Sequence, residues 1–246
     1  MSVEEKKIAL ITGANRGLGL ETARKLGQQG ITVLVAAREL AKSEATAATL
    51  KKEGIDARPI KLDVNDPADY PAVARAIEKD FGRLDILVNN AGVFLDNRGP
   101  NETSTTSDDV LRKTFDTNFF AVIGLTQALL PLLRKSNAGR IVNLSSILGS
   151  LTLHATKGSY VYEAKTIAYN ASKAALNSFT IHLAHELANT KIKVNSAHPG
   201  WVKTDMGGEG AMLEIEDGVK TSVQLATLAE DGPTGGFFHM GETLPW

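Results

Sequence analysis

The chain has 246 residues, 43% of them hydrophobic and 22% charged, which suits one large α/β domain with a full core. Its 27 basic and 28 acidic residues leave a net charge of −1, which argues against a nucleic-acid partner. With no cysteine, a disulfide framework and a thiolate metal site are both excluded.

Met1 to Lys7 is polar and lacks the apolar core of a signal peptide, so a cytoplasmic location is expected. Lys7 to Ile11 is a short apolar run, the mark of a buried parallel strand. Leu18, Thr22, Ala23 and Leu26 then recur at helical spacing before Gly30. Between them stands Thr12-Gly13-Ala14-Asn15-Arg16-Gly17-Leu18-Gly19. A glycine turn between strand and helix can cradle a phosphate. Gly13 takes backbone angles closed to other residues, and Gly17 and Gly19 leave no side chain between backbone and ligand. The helix aims unpaired N–H groups and its positive dipole end at an anion, here a pyrophosphate. A plain strand-to-helix turn is the alternative.

Ile31 to Ala37 reads as a second strand. An acid at its end would select a free ribose hydroxyl. Ala36-Ala37-Arg38 stands there instead. Arg16 and Arg38 offer two guanidinium groups to a 2′-phosphate, unless Arg38 is a solvated helix-start residue. Leu40 to Lys52 is an alanine-rich helix, and Ala57 to Leu62 a third strand. Asp63 either accepts from an adenine amino group or caps the helix after Pro67, and its residue type favours the cap. Asp69 to Phe81 is the third helix and Leu84 to Val88 the fourth strand. Asn89-Asn90-Ala91-Gly92 then lets the backbone approach a ligand and ties strand ends together, or is an asparagine turn. Residues 96–109, with Gly99-Pro100, read as a loop.

Val110 to Lys135 carries a long helical pattern through Phe115, Phe119, Val122 and Leu125. Its apolar stretch, Phe119 to Leu133, is too short to span a bilayer, so no membrane partner is expected. Asn118 sits among apolar neighbours, where an asparagine is unfavourable. It holds a water or a backbone carbonyl, or is an accident of packing. Gly139 to Leu144 is the fifth strand, ending in Ser145-Ser146, and residues 149–165 are irregular. Tyr169-Asn170-Ala171-Ser172-Lys173 opens a helix to Leu187. Lys191 to Ala197 is the sixth strand, broken by His198-Pro199-Gly200. Residues 200–217 read as a mobile, glycine-rich flap before a helix from Gly218 to Ala229, and Gly235 to His239 is a last strand. No repeat or linker divides residues 1–246. The alternation predicts a single-domain, doubly wound parallel sheet of Rossmann type with helices on both faces.

A tyrosine hydroxyl, with a pKa of about 10, is a poor acid at neutral pH. Tyr169 and Lys173 are i and i+4 on one helical face, and a nearby ammonium favours the phenolate and lowers that value. The pair therefore makes a tuned proton donor. Ser145 or Ser146, at a strand end, can hold a carbonyl oxygen beside it. Strand carboxyl ends are where ligands bind in such sheets. Taken alone, a Tyr-x-x-x-Lys pair is commonly a surface contact. The five histidines are scattered, and His182 and His185 lack a third ligand, so no metal is expected.

Together these motifs resemble the short-chain dehydrogenase/reductase family over nearly the whole chain. Thr12 to Gly19 is similar to its glycine turn, Asn89 to Gly92 to its Asn-Asn-Ala-Gly signature, and Pro199-Gly200 to the segment bordering the nicotinamide. Asn118, Ser146, Tyr169 and Lys173 match its catalytic four. Ser146 is preferred over Ser145 because Ile147-Leu148-Gly149 follows it in the family manner. The resemblance implies that Tyr169 passes a proton to the substrate oxygen and Ser146 orients that oxygen. It implies that Lys173 binds the nicotinamide ribose and lowers the tyrosine pKa, while Asn118 holds a relay water. Around the cofactor it places Gly13, Asn15, Arg16, Gly17, Leu18, Gly19, Arg38, Asp63, Val64, Asn90, Ala91, Gly92, Pro199, Gly200, Val202 and Thr204. Asp63 and Val64 flank the adenine, Asn90 lies along the ribose, and Val202 and Thr204 contact the carboxamide end. Arg16 and Arg38 match the branch that prefers NADP(H).

The stretch 149–168 is longer than usual and resembles an insertion of the carbonyl-reductase-like branch. It walls the pocket and alters the face used for association. The C-terminus, Gly235 to Trp246, lacks the usual closing pattern, so a monomer or homodimer is expected rather than a tetramer. Phe94, Leu148, Leu151, Trp201, Met206 and Met212 are candidates to line the pocket or to fill core. Their apolar character favours an apolar or aromatic ketone or aldehyde, as substrate of an NADPH-dependent reduction to the alcohol. The alternatives are thioester-linked, sugar or sterol substrates on the same machinery, or a non-catalytic NADP-binding regulator.

Overall fold

The computed structural model describes residues 6–96 and 102–246. Gly99-Pro100 of the expected loop lies outside the described residues, as does Met1 to Glu5. Chain order runs β1 (Ile8–Ile11), α1 (Gly17–Gln28), β2 (Thr32–Ala37), α2 (Leu40–Lys52), β3 (Ala57–Lys61), α3 (Asp69–Phe81) and β4 (Ile86–Asn89). It continues through α4 (Asp108–Phe115), α5 (Ala121–Leu133), β5 (Arg140–Leu144), α6 (Leu151–Ala155), α7 (Ile167–Glu186) and β6 (Lys193–Ala197). It ends with α8 (Ile215–Gly218), α9 (Lys220–Ala226), β7 (Phe237–His239) and β8 (Glu242–Thr243). The strands form one sheet in the order β3-β2-β1-β4-β5-β6-β7-β8. All neighbours are parallel except the terminal β7–β8 pair.

Side chains alternate across a strand, so a run that is apolar throughout supplies two cores. Ile8 and Leu10 of β1 face one cluster with Val73 and Ile77 of α3, Leu125 and Leu129 of α5 and Leu183 of α7. Ala9 and Ile11 face the other with Ala23 and Leu26 of α1, Leu50 of α2 and Leu225 of α9. The doubly wound arrangement follows from this division. Its chain order reverses between β1 and β4, and there the strand ends open the crevice that binds ligands in such sheets.

The bounds of α2 and α3 agree with the sequence reading. Strand β4 starts two residues later than expected, at Ile86. Just before it, buried Asp85 takes the Ile8 N–H at 2.9 Å and the Ser136 hydroxyl at 2.6 Å, so a carboxylate meets that amide rather than a strand carbonyl. The helix expected over 110–135 is two helices joined by a π turn, Asp116–Phe120. It starts earlier because Ser107 caps it, accepting from Val110 N–H at 3.3 Å. From Asp108 to Leu133 it runs 26 residues, long and apolar enough to cross a membrane by length and composition. The stretch from Phe119 to Leu133 alone underestimates that length, because the π turn keeps the helices in one run. Half of its most apolar window is buried within the fold.

Helix α6 occupies part of the stretch expected to be irregular, capped by Ser150. The helix expected over 218–229 is instead α8 and α9. β8 has no counterpart in the sequence reading: two residues are too few for a periodic signal. Residues 200–217 are internally bonded. Val202 bridges Leu213, and Trp201 Nε1–H donates to the Gly207 carbonyl at 2.9 Å.

Candidate active site

The glycine turn lies between β1 and α1, with Gly13 at φ 62° and Gly17 at φ 54°, angles that favour glycine. A Cβ on Gly19 would lie 2.5 Å from both the Gly13 carbonyl and Asn90 Nδ2. The α1 terminus has no side-chain cap from Arg16 and no acid in its first turn. Its N–H groups are thus left for an anion, and the turn fits a dinucleotide pyrophosphate. Asn15 contributes its carbonyl to Thr46 Oγ1 at 3.5 Å. Leu18 lies close to Gly218 of α8.

Asn90 braces this turn. Its Nδ2 donates to the carbonyls of Thr12 at 2.7 Å and Gly13 at 3.3 Å. Thr12 Oγ1 accepts from Asn90 N–H and Ala91 N–H, each at 2.9 Å. The tie between strand ends is therefore present, and the Asn90 side-chain NH₂ is held by backbone carbonyls. Val64 and Ala91 line one crevice with Thr12 and Thr117.

Asp63 does not cap α3. Its Oδ1 accepts from Asn65 N–H at 3.0 Å, closing a turn on itself. Asp69 instead reaches back to Asp63 N–H at 2.8 Å and to Lys61 Nζ at 2.6 Å. The two arginines are held differently in the fold. Arg16 pairs with Asp205 at 2.5 Å, across to the flap, with both side chains exposed. Arg38 is exposed at the end of β2 and has no ion-pair partner among the described residues. Its neighbour Glu39 is turned to Lys42, 2.6 Å away.

The chemistry-bearing groups converge beyond β4 and β5. Tyr169 and Lys173 stand one turn apart in α7, 9% and 5% exposed. Ser146 acts on the Tyr169 phenol, favouring its ionised form, and accepts from Leu148 N–H at 3.2 Å. Ser145 turns away and donates to Asn177 Oδ1 at 2.6 Å. Lys173 Nζ donates to the Leu144 carbonyl at 2.7 Å and lies 5.6 Å from the Tyr169 ring centroid.

Burial pushes the Tyr169 phenol up to about 12, with the Ser146 hydrogen bond pulling the other way. Burial lowers Lys173 to about 8. The expected lowering of the phenol by the ammonium is thus overridden, because Nζ is directed to a carbonyl and desolvation dominates.

Asn118 lies fully buried in the π turn. Its Oδ1 accepts from Val93 N–H at 2.8 Å, and its Nδ2 donates to the Val93 carbonyl at 2.9 Å and to Ser172 Oγ at 3.0 Å. Of the two reasons for a mid-helix asparagine, the backbone carbonyl is the one observed for this side chain. Phe94 packs on Tyr169 with ring centroids 4.9 Å apart. Leu148 joins a small cluster with Ile147, Val161 and Phe237. Trp201, Met206, Leu151 and Met212 are largely exposed. Gly200 takes φ 85°. Val202 is buried, and the Thr204 methyl lies 3.7 Å from where a Gly17 Cβ would sit, which brings the flap against the glycine turn.

Three contributors escaped the sequence reading as site residues: Ser172, Asp96 and His198. His198 Nδ1 accepts from Ile147 N–H at 3.2 Å and Gly200 N–H at 3.4 Å, joining the Ser146 turn to the Pro199-Gly200 segment. Its half-buried ring faces His239, centroids 4.8 Å apart. Desolvation and then the His239 charge push it down to about 3. The folded protein therefore refuses a proton that the unfolded imidazole accepts below 6.5. Stability from this group is complete above 6.5 and is lost as pH falls toward 3, at most about 1.4 kcal/mol per pH unit. Urea unfolding at neutral and mildly acid pH should show a smaller acid loss for His198→Gln than for wild type. Equal losses would refute this.

A family model described as short chain dehydrogenase matches residues 7–211. Short-chain dehydrogenase/reductase 1 of Saponaria officinalis is 34% identical, over 98% of this chain and 97% of that protein. (+)-Neomenthol dehydrogenase of Arabidopsis thaliana is 31% identical over 97% of each. The solved NADPH-bound carbonyl reductase from chicken fatty liver superposes with a TM-score of 0.85 at 27% identity, covering 98% of this chain and 100% of that one.

Proposed function

The chain belongs to the short-chain dehydrogenase/reductase family of oxidoreductases, in its carbonyl-reductase-like branch, and from that premise we propose an NADPH-dependent reductase of apolar or aromatic ketones and aldehydes. The observation that carries the reading is the buried Ser146–Tyr169–Lys173 group beside the glycine cradle. The neomenthol dehydrogenase and the NADPH-bound carbonyl reductase support it by similarity.

When bound, the nicotinamide supplies a hydride to the carbonyl carbon. Tyr169 gives its phenolic proton to the carbonyl oxygen, so C=O becomes CH–OH. Ser146 holds that oxygen within reach of the phenol. Lys173, lowered to about 8, keeps most of its charge at neutral pH and would hold the ribose hydroxyls of the bound cofactor. Asn118 locks the Val93 backbone, which fixes the wall facing Tyr169. Phe94 presents an apolar face to the substrate, in keeping with an aromatic or aliphatic ketone.

The test is loss of reduced-nicotinamide absorbance with a panel of apolar ketones and aldehydes. Turnover with that panel is expected; tight NADPH binding without turnover would favour a cofactor-binding regulator. Arg16 and Arg38 are the candidate phosphate contacts, and Arg38, which does not share the Asp205 ion pair, is the cleaner test of cofactor choice. A charged hydrogen bond contributes about 1.5–3 kcal/mol, so Arg38→Asp should weaken NADPH binding by about ten- to a hundredfold. NADH binding should change far less. Calorimetry checks this, and equal wild-type affinity for the two cofactors would refute the phosphate contact.

A further inference from the structure

The segment leaving β4 touches the catalytic group three times in succession. Val93 exchanges hydrogen bonds with Asn118, and Phe94 packs on the Tyr169 ring. Asp96, 8% exposed, follows. Its Oδ1 accepts from Ala168 N–H at 3.1 Å, and its Oδ2 accepts from Tyr169 N–H at 2.9 Å. Helix α7 has need of such a partner. The first N–H groups of a helix have no acceptor inside it. Thr166, in the cap position, makes no side-chain cap bond, and its hydroxyl donates to Asn170 Oδ1 at 2.7 Å instead. No acid lies in the first turn. A carboxylate more than seventy residues away in sequence does the capping.

We propose that Asp96 is the positioning residue for Tyr169: it fixes the first turn of α7, and with it the direction of the phenol, relative to the segment that borders the cofactor cradle. The proposal rests on the reading of Tyr169 as proton donor. Two N–H groups meet two carboxylate oxygens, a match that an amide cannot make. An asparagine has one acceptor oxygen, and its NH₂ would face the second N–H. The negative charge also lies at the positive end of a 20-residue helix, where it is favourable. Asp96 touches neither substrate nor cofactor in this scheme. It acts through the backbone of the residue that does.

The experiment compares the full chain with Asp96→Ala, Asp96→Asn and Tyr169→Phe. It measures kcat and KM for a reducible ketone, calorimetric Kd for NADPH, and thermal stability. Asp96→Ala is expected to lower kcat by about 10- to 100-fold. Its NADPH Kd should stay within about twofold, the pattern of an interaction that matters in the transition state. Asp96→Asn, retaining one acceptor, should recover part of the rate. Wild-type kcat in both Asp96 variants, with Tyr169→Phe inactive, would sink the proposal alone. So would kcat, Kd and stability falling in parallel with no difference between the two variants, since that is mere support of the fold. If Asp96→Ala does not fold, Asp96→Asn decides: a lower kcat at unchanged Kd supports the proposal, and an unchanged kcat overturns it. Full activity in Tyr169→Phe would instead sink the proton-donor reading on which the proposal rests.

Discussion

Tyr169→Phe is expected to lower kcat by about 10²- to 10⁴-fold, the usual contribution of a positioned general acid. The substitution removes one oxygen and leaves the ring. Phe94 still packs on it, and the backbone N–H still meets Asp96. NADPH affinity and folding should therefore change little, and the loss should fall on kcat. Burial holds the phenol near 12, so it is protonated throughout the neutral range and ready to donate in the reducing direction. The reverse reaction needs the phenolate, and the same burial works against it. Alcohol oxidation should accordingly require more alkaline conditions than ketone reduction. Single-turnover kinetics with preloaded NADPH, together with calorimetric Kd, separate the chemical step from binding. A variant that keeps wild-type kcat would take Tyr169 out of the chemistry.

Local patterns made much of this molecule legible. The apolar runs of β1, β2 and β4 and the turn residues between them carry enough signal to place a doubly wound sheet. Helix α2 has a clear end in the basic pair Lys51 and Lys52, and α3 has one in Gly82, which takes φ 72°. What stayed hidden depends on distant partners. The π turn is invisible in periodicity, because the apolar positions on either side continue one helical pattern. Nothing near Asp63 in sequence reveals that Asp69 will reach back and take its N–H.

The candidate site divides the same way. Gly13, Asn90, Tyr169 and Lys173 sit in short motifs with a local physical meaning. Asp96 and His198 do not. Each bonds backbone amides of residues far along the chain, Ala168 and Tyr169 for one and Ile147 for the other. A lone aspartate after the apolar run Val93-Phe94-Leu95 and a histidine before a proline carry no periodic or spacing signal. Arg16 joins the two kinds of signal. Its position in the glycine turn suggests a phosphate contact, while the folded chain also places Asp205 beside it.

Gly19→Ala should weaken NADPH binding by about a hundredfold, the scale of an ångström-sized misplacement in a fitted site. Two effects oppose each other. Alanine favours a helix interior over glycine by about 1 kcal/mol, which by itself would stabilise α1. Against that, the added Cβ would lie 2.5 Å from the Gly13 carbonyl and from Asn90 Nδ2, and 2.9 Å from Ala14 Cα. Two of these atoms are backbone and cannot swing aside. The third belongs to the amide that braces Thr12 and Gly13, so moving it breaks the hydrogen bonds that shape the turn. The steric conflict therefore wins, and it acts on the cradle rather than on the core. Gly30→Ala is the control: its φ is 83°, and a Cβ there meets nothing within 4 Å. It should cost stability through backbone strain and leave cofactor affinity intact. Calorimetry on the two variants distinguishes a cradle from an ordinary turn, because only a cradle makes NADPH binding depend on which glycine is filled. Wild-type affinity in Gly19→Ala would mean that the dinucleotide does not lie against this turn.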